Sequence, residues 1–276
     1  MNLILLSGGV GGAKLAEGLA LAFGQKSLAV IGNPGDDVVR HGLHVSPDLD
    51  IVLYTLAGHV DRDRGWGLAG DTFTVLDRLA ELGEETWFGL GDRDLAMSIL
   101  RTQLLRDGLT LTAAMLTLAA RLGVQTRVSP PTDDPLRTII TTPTGPLAFQ
   151  EFFVRDQCLP EILDVTYAGA ATATIAPEAA AAIAAATLIV IAPSNPIASI
   201  GPILAVPGMR EALLAAEAPV VAVSPLVGGR SLKGPSDRMM KAKGLAADAR
   251  GVAAWYHDLV DLLVIDEADA GLAAAI

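Results

Sequence analysis

Met1-Asn2-Leu3-Ile4-Leu5-Leu6-Ser7-Gly8-Gly9-Val10-Gly11-Gly12-Ala13-Lys14-Leu15 opens the chain, and its reading decides the fold. Leu3 to Leu6 is an apolar run of strand length. It empties into Gly8, Gly9, Gly11 and Gly12, and a helical pattern follows with Leu15, Leu19 and Ala22 on one face. Strand, glycine turn and helix is the arrangement that points free backbone N–H groups at an anion. Glycine suits it because a Cβ would block close approach of a phosphate and disfavour positive φ. Lys14, one turn into the helix, adds a positive charge. The spacing matches neither standard phosphate motif. A dinucleotide fingerprint needs glycine where Lys14 stands; a Walker loop needs glycine at Ala13 and Ser or Thr at Leu15. Alone, the stretch reads as a nucleotide or phosphate site, or as a tight turn without a ligand.

Outward from it, Leu28–Ile31 reads as the second strand, ending in Gly32-Asn33-Pro34-Gly35-Asp36-Asp37. Ligands of open parallel sheets gather at strand carboxyl ends, so Asp36 and Asp37 are expected beside the glycines. They fit a ribose binder, a divalent-metal site or a solvated turn. Ser46-Pro47-Asp48-Leu49-Asp50 looks like a helix start, with Ser46 as N-cap, Pro47 at the first helical position and acids in the first turn. That helix is expected to run through Leu56 and stop at Gly58. Asp48 and Asp50 can serve the helix dipole alone. Yet with Asp36 and Asp37 they crowd next to a candidate phosphate site, and Mg²⁺ would need only one or two of them besides phosphate oxygens and water. His41, His44 and His59 carry no metal spacing and read as structural.

His59 to Gly70 is a charged, glycine-rich loop. Trp66, between Gly65 and Gly67, is an exposed-looking aromatic that either covers a planar ligand or anchors the loop. An amphipathic helix over 71–82 is expected next, then a strand over Thr86–Leu90 ending in Gly91-Asp92-Arg93-Asp94, then helices over 95–106 and 110–122. From Val124 the pattern turns to period two, at 125–128, 138–141 and 147–151, which predicts a small antiparallel insertion. Pro177 opens an alanine-rich helix, and Thr187–Ala192 is a buried strand. It ends in Pro193-Ser194-Asn195-Pro196, with a helix start at Ser199, a second anion site of the helix N-terminus kind. Strands at Pro219–Pro225 and Leu262–Ile265 follow, separated by a loop carrying Arg230 and Lys233, by Met239 and Met240 as core residues, and by a helix near 252–257.

The 276 residues carry a net charge of −11, which argues against a nucleic-acid surface or an anionic membrane as partner. Hydrophobic residues make up 51% and aromatics only 4%, so the core must be built from Ala, Leu, Val and Ile. Cys158 is the only cysteine, which excludes an intrachain disulfide and a cysteine metal cluster and fits a reducing compartment. It reads as an incidental thiol. The N-terminus lacks a basic region before its apolar run, and the apolar stretch 179–192 is too short to span a bilayer. A soluble, cytoplasmic protein is expected. Apolar strands alternating with helices predict an α/β fold: a doubly wound, mostly parallel, three-layer Rossmann-like sheet. We expect one domain over 1–276 with an inserted subdomain at about 124–168. All polar clusters fall at strand carboxyl ends, which argues for a single site.

Together these motifs resemble one family. They are the glycine stretch through Leu15, Gly32-Asn33-x-Gly35-Asp36-Asp37, His41-Gly42-Leu43-x-Val45-Ser46-Pro47-Asp48-x-Asp50, Tyr54-Thr55-Leu56-Ala57-Gly58, Leu90-Gly91-Asp92-Arg93-Asp94, Pro193-Ser194-Asn195-Pro196-x-x-Ser199-Ile200 and Gly234-Pro235-x-Asp237. They look like those of the 2-phospho-L-lactate transferases, CofD in archaea and FbiA in actinobacteria, which make the deazaflavin coenzyme F-420. The resemblance implies transfer of a phospholactyl-type group (phospholactyl, phosphoenolpyruvyl or phosphoglyceryl) from a guanosine diphosphate donor to the ribityl hydroxyl of Fo, 7,8-didemethyl-8-hydroxy-5-deazariboflavin. GMP is released, Mg²⁺ is required, and a homodimer is expected. Phosphoryl transfer asks for in-line positioning and charge neutralisation rather than a covalent nucleophile, and no Ser-His-Asp or Cys-His set is evident. By motif match Asp50 and Arg93 contact Fo, with Trp66 as a further candidate. Gly9, Val10, Gly11, Gly12, Lys14, Ser194, Asn195 and Ser199 hold the guanosine and its phosphates. Asp36, Asp37 and Asp50 are the metal candidates; Asp50 and Asp37 are the catalytic ones, Asp50 to orient or deprotonate the attacking hydroxyl. The alternative is a nucleotide-sugar-binding regulator of the YvcK type, similar at the glycine stretch. Such regulators carry a glycine- and serine-rich run where Val38-Val39-Arg40-His41-Gly42 stands here.

Overall fold

The computed structural model describes residues 1–276. The first half contains β1 (Leu3–Ser7), α1 (Gly9–Phe23), β2 (Leu28–Gly32), β3 (Val38–Arg40), β4 (Leu43–Val45), α2 (Pro47–Leu56), α3 (Thr74–Glu81), α4 (Asp92–Arg106), α5 (Leu111–Arg121) and β5 (Arg127–Ser129). An antiparallel unit follows: β6 (Arg137–Thr142), β7 (Gly145–Ala148) and β8 (Asp164–Ala168). The second half adds α6 (Pro177–Ala184), β9 (Leu188–Ile191), α7 (Gly201–Leu204), α8 (Met209–Ala215), β10 (Val220–Val223), the hairpin β11 (Leu226–Val227) and β12 (Arg230–Ser231), α9 (Ser236–Ala242), α10 (Ala249–Trp255) and β13 (Leu262–Val264).

Six of these strands pair in parallel in the order β13-β10-β9-β1-β2-β5. The period-two backbone sends alternate side chains to opposite faces. Leu3, Leu5, Leu28 and Val30 pack on one face with α1, α2 and α5. Ile4, Leu6, Ile31, Ile189 and Ile191 pack on the other, with the antiparallel unit and the helices of the second half. This is the expected doubly wound α/β sheet with helices on both faces. Chain order runs outward from β1 in one direction through β2 and β5, then in the other through β9, β10 and β13, so the switch point lies between β1 and β9. No single helix is long and apolar enough to cross a membrane.

Three local expectations are corrected. Thr86–Leu90 is not a strand. The place beside β2 is taken by β5, and Trp87 is instead held with Arg40 over its ring at 4.6 Å. Arg127–Ser129, expected in the insertion, extends the parallel sheet against β2, so antiparallel pairing begins only at β6. Lastly, α1 starts at Gly9, so most of the glycines lie inside its first turn rather than in a loop before it.

Candidate active site

At the switch point the turn after β1 is tied to the turn after β9. Gly8 N–H donates to Ser194 Oγ (3.1 Å), and that hydroxyl donates to the Gly8 carbonyl (2.7 Å). The glycines permit this approach. A Cβ at Gly8 would stand 2.5 Å from Ser199 Cβ, one at Gly11 would stand 2.9 Å from the Pro193 carbonyl, and one at Gly12 would overlap Ser7 Oγ. Gly9 has φ +64°, which glycine adopts freely. Gly12→Ala is therefore expected to lower stability by about 1–3 kcal/mol through overpacking, read as a fall in the thermal midpoint. An unchanged midpoint would show that α1 can shift away from β9 at no cost.

The expected second anion site differs from its prediction. The helical segment begins at Pro196, and Asn195 Oδ1 already accepts from the N–H groups of Ile197 (3.0 Å) and Ala198 (3.1 Å). Ser199 N–H lies within the turn, bonded to the Asn195 carbonyl at 3.0 Å. Ser194, Asn195 and Ser199 thus brace the crevice wall. The backbone N–H of Gly9, at the start of α1, faces the Asp48 carboxylate. Lys14 and Val10 line a shallow pocket together with Ile51, Thr55, Val60 and Arg62.

The acidic stretch comes to the same place. Asn33 follows β2, and its N–H donates to the Ser7 carbonyl at 2.9 Å. Its side-chain amide donates to Asp36 (3.0 Å), Asp48 (2.9 Å) and the Ala198 carbonyl (3.2 Å). Asp37 Oδ2 accepts from Ser46 Oγ (2.9 Å) and pairs with His44 Nε2 (2.8 Å). Ser46, placed as an N-cap by its sequence position, spends its hydroxyl on Asp37 rather than on the helix. Asp50 pairs with the guanidinium of Arg101, which is 0% exposed and also donates to the His44 carbonyl at 3.1 Å.

All four carboxylates are buried. Burial, and then the neighbouring Asp48, lifts Asp36 well above the usual carboxylate range. Burial pushes Asp48 up to about 6, against the pull of the Asn33 amide and the Gly9 N–H. Burial raises Asp50 as well, with Arg101 opposing. Asp37 Oδ1 is buried and has no hydrogen-bond partner. A desolvated acid group with an orphan oxygen fits a divalent cation. No group of three or more His, Cys, Asp and Glu side chains is arranged to hold an ion. A cation here would take its other ligands from phosphate oxygens and water, as Mg²⁺ commonly does.

On the far side of Asp50 lies an open cleft lined by Val45, Ile51, Tyr54, Trp66, Phe88 and Asp94 among others. Trp66 is 42% exposed, with Arg64 at 5.1 Å over its ring and Phe73 edge-on at 6.4 Å. Its indole lies against Gly89, where a Cβ would come within 3.1 Å. Asp50 and Trp66 therefore share one cleft. Arg93 does not line it; its exposed side chain donates to the Ala69 carbonyl at 2.7 Å.

Comparison with known proteins gives the family. A family model described as "2-phospho-L-lactate transferase CofD" matches residues 3–274. The chain belongs to the CofD family. It is 40% identical to a 2-phospho-L-lactate transferase of Methanosarcina mazei, over 97% of this chain and 88% of the relative. It is 43% identical to a phosphoenolpyruvate transferase of Kitasatospora aureofaciens, over 100% of this chain and 88% of the relative. Membership makes the protein an enzyme of phosphotransferase type. Among solved structures, a protein of the UPF0052 family from Bacillus halodurans shares the fold, with a TM-score of 0.60 and 19% identity over 96% of this chain and 79% of the other.

Several residues of this CofD-family site carry no role in the sequence reading: Asn33, His44, Tyr54, Asp94 and Arg101. The signal for Arg101 was its place on α4, in helical register with the buried Leu95 and Ser98 and next to the buried Thr102. An arginine on an apolar-facing stripe implies a buried anion. The raised acids also give the CofD-family fold a pH dependence. Unfolded aspartates titrate near 4, and Asp48 in the fold near 6. An acid with a raised value keeps its full contribution below about pH 4, and that contribution is lost as pH rises through about 6. The midpoint of thermal unfolding is therefore expected to be higher at pH 5 than at pH 7.5, with added Mg²⁺ narrowing the gap. A midpoint that instead climbs over that interval would contradict the burial of unpaired acid groups.

Proposed function

We propose that the protein transfers a 2-phospholactyl-type group, as the phospholactyl, phosphoenolpyruvyl or phosphoglyceryl form, from a guanosine diphosphate donor to the ribityl hydroxyl of Fo. The acceptor oxygen bonds to the phosphorus bearing the three-carbon acid, the bond from that phosphorus to the bridging oxygen breaks, and GMP leaves. The product belongs to coenzyme F-420 biosynthesis. The observation that carries this reading is the position of Asp50. It stands between the buried acids at the β1–β9 crevice and the aromatic-walled cleft, where a diphosphate and a planar acceptor would meet.

In this reading Trp66 and Phe88 flank the deazaflavin ring and exclude water. Asp50, fixed by Arg101, aligns the ribityl hydroxyl for in-line attack and takes up its proton. Gly9, Val10, Gly11, Gly12 and Lys14 face the donor phosphates, with Lys14 supplying positive charge. Arg93 contacts the acceptor in this reading only after its guanidinium leaves the Ala69 carbonyl. Mg²⁺, held by Asp37 Oδ1 with Asp36 or Asp50, would neutralise charge on the diphosphate. Relatives named for phospholactate and for phosphoenolpyruvate stand at 40% and 43% identity, which supports the class of donor rather than one member.

The test is incubation with Fo, Mg²⁺ and each guanylated donor, following GMP by chromatography. GMP release dependent on Fo is expected with at least one donor, and none with any would overturn the reading. Calorimetry that found tight binding of a UDP-sugar and no binding of Fo would favour a nucleotide-sugar-binding regulator instead.

A further inference from the structure

Two polar side chains of the aromatic cleft have no part in the chemistry above. Tyr54 lies one helical turn beyond Asp50 on α2 and lines the same cleft. It is 2% exposed, and its hydroxyl has no hydrogen-bond partner. Asp94, in the first turn of α4, stands beside it. The phenol lies close enough to influence that carboxylate but does not complete hydrogen-bond geometry with it. The Asp71 carboxylate fixes the start of α4, accepting from the N–H of Arg93 (2.8 Å) and Asp94 (3.3 Å). Burial lifts Asp94 to about 6, with Asp50 and Asp71 adding to the rise.

A buried hydroxyl without a partner costs stability, so its retention calls for a reason. The cleft otherwise presents apolar surface from Val45, Ile51, Phe88 and Leu90. Apolar walls over a small polar floor select an amphiphilic ligand. The floor offers a phenolic donor at Tyr54 and carboxylate acceptors at Asp94 and Asp50. An alcohol group both donates and accepts, and so satisfies such a pair at once. Positions four apart on a helix are about 6 Å apart along its axis, the span of a few carbons of a polyol.

We infer that Tyr54 and Asp94 form a subsite for the hydroxylated side chain of the acceptor, gripping hydroxyls beyond the one that Asp50 aligns. The inference rests on the acceptor assignment above and adds which part of that molecule these two residues read. They bind substrate and set the register of the chain against Asp50.

The experiment compares two ligands by fluorescence titration: Fo, and the same ring carrying an alkyl chain without hydroxyls. Wild type, Tyr54→Phe and Asp94→Asn are each titrated with both. Each variant is expected to bind Fo about ten- to a hundredfold more weakly, with affinity for the alkyl analogue unchanged. Tyr54→Phe removes only the phenol's contact with Asp94, so its thermal midpoint is expected to stay within a few degrees of wild type. That makes it a folded test even where Asp94→Asn is not. Unchanged Fo binding in Tyr54→Phe, or an equal loss for both ligands, overturns the subsite. A wild-type protein that binds neither compound overturns the acceptor assignment itself, which is a different result.

Discussion

Asp50→Asn is expected to lower kcat/KM by about 10²–10³-fold, the scale seen when one preorganised electrostatic contact to a transition state is removed. Asn keeps the shape of the side chain but loses the charge and the ability to take a proton. The loss should fall on kcat more than on the KM for Fo, since Trp66 and the apolar walls of the cleft remain. A structural cost accompanies it, because Arg101 is wholly buried and pairs with Asp50. The substitution strands that guanidinium, so the thermal midpoint should fall as well. The double variant Asp50→Asn with Arg101→Gln separates the two effects. It removes both charges, and is expected to regain stability without regaining turnover. A single variant that keeps a near-normal rate would remove Asp50 from the mechanism.

Arg101→Met is expected to have the largest effect on stability. It leaves Asp50 buried with no cation and removes the donor to the His44 carbonyl. Breaking one side of a buried pair costs about 3–5 kcal/mol, or roughly a 10 °C fall in the thermal midpoint for a chain of this size. Arg101→Lys should recover only part, since a compact ammonium cannot serve Asp50 and the His44 carbonyl with one planar fork. Thermal and denaturant unfolding measure it. A loss under about 1 kcal/mol would mean that Asp50 is already neutral in the fold.

What was legible in the sequence was local. β1, the helix after it and the Ser46-Pro47 start of α2 follow from periodicity, turn residues and a capping pattern that act over a few positions. The polar clusters at strand ends were legible for the same reason, and the structure brings the β1, β2 and β9 turns together. The failures are non-local. Thr86–Leu90 has a strand-like composition, but the place beside β2 goes to β5, a segment much further along the chain, which no local pattern can announce. Gly8, Gly11 and Gly12 also make room for Ser199, Pro193 and Ser7, contacts that the glycine stretch does not announce. Arg101 sits 51 positions from Asp50, and nothing in its own neighbourhood names that partner. Arg93 matches a motif, and the carbonyl that holds its guanidinium, that of Ala69, is one that no local pattern names.

The Asn33 amide has a consequence for how the protein matures. It joins Asp36 and Asp48 to the Ala198 carbonyl, 165 positions along the chain. Contacts of such sequence separation form late, after the entropy of a long loop has been spent. A nascent chain with its amino-terminal half folded could already join Asn33 to Asp36 and Asp48, but the crevice wall at Ala198 would be missing, and competence for transfer would arrive only when the second half docks. Splitting this enzyme into independently working halves should fail for that reason.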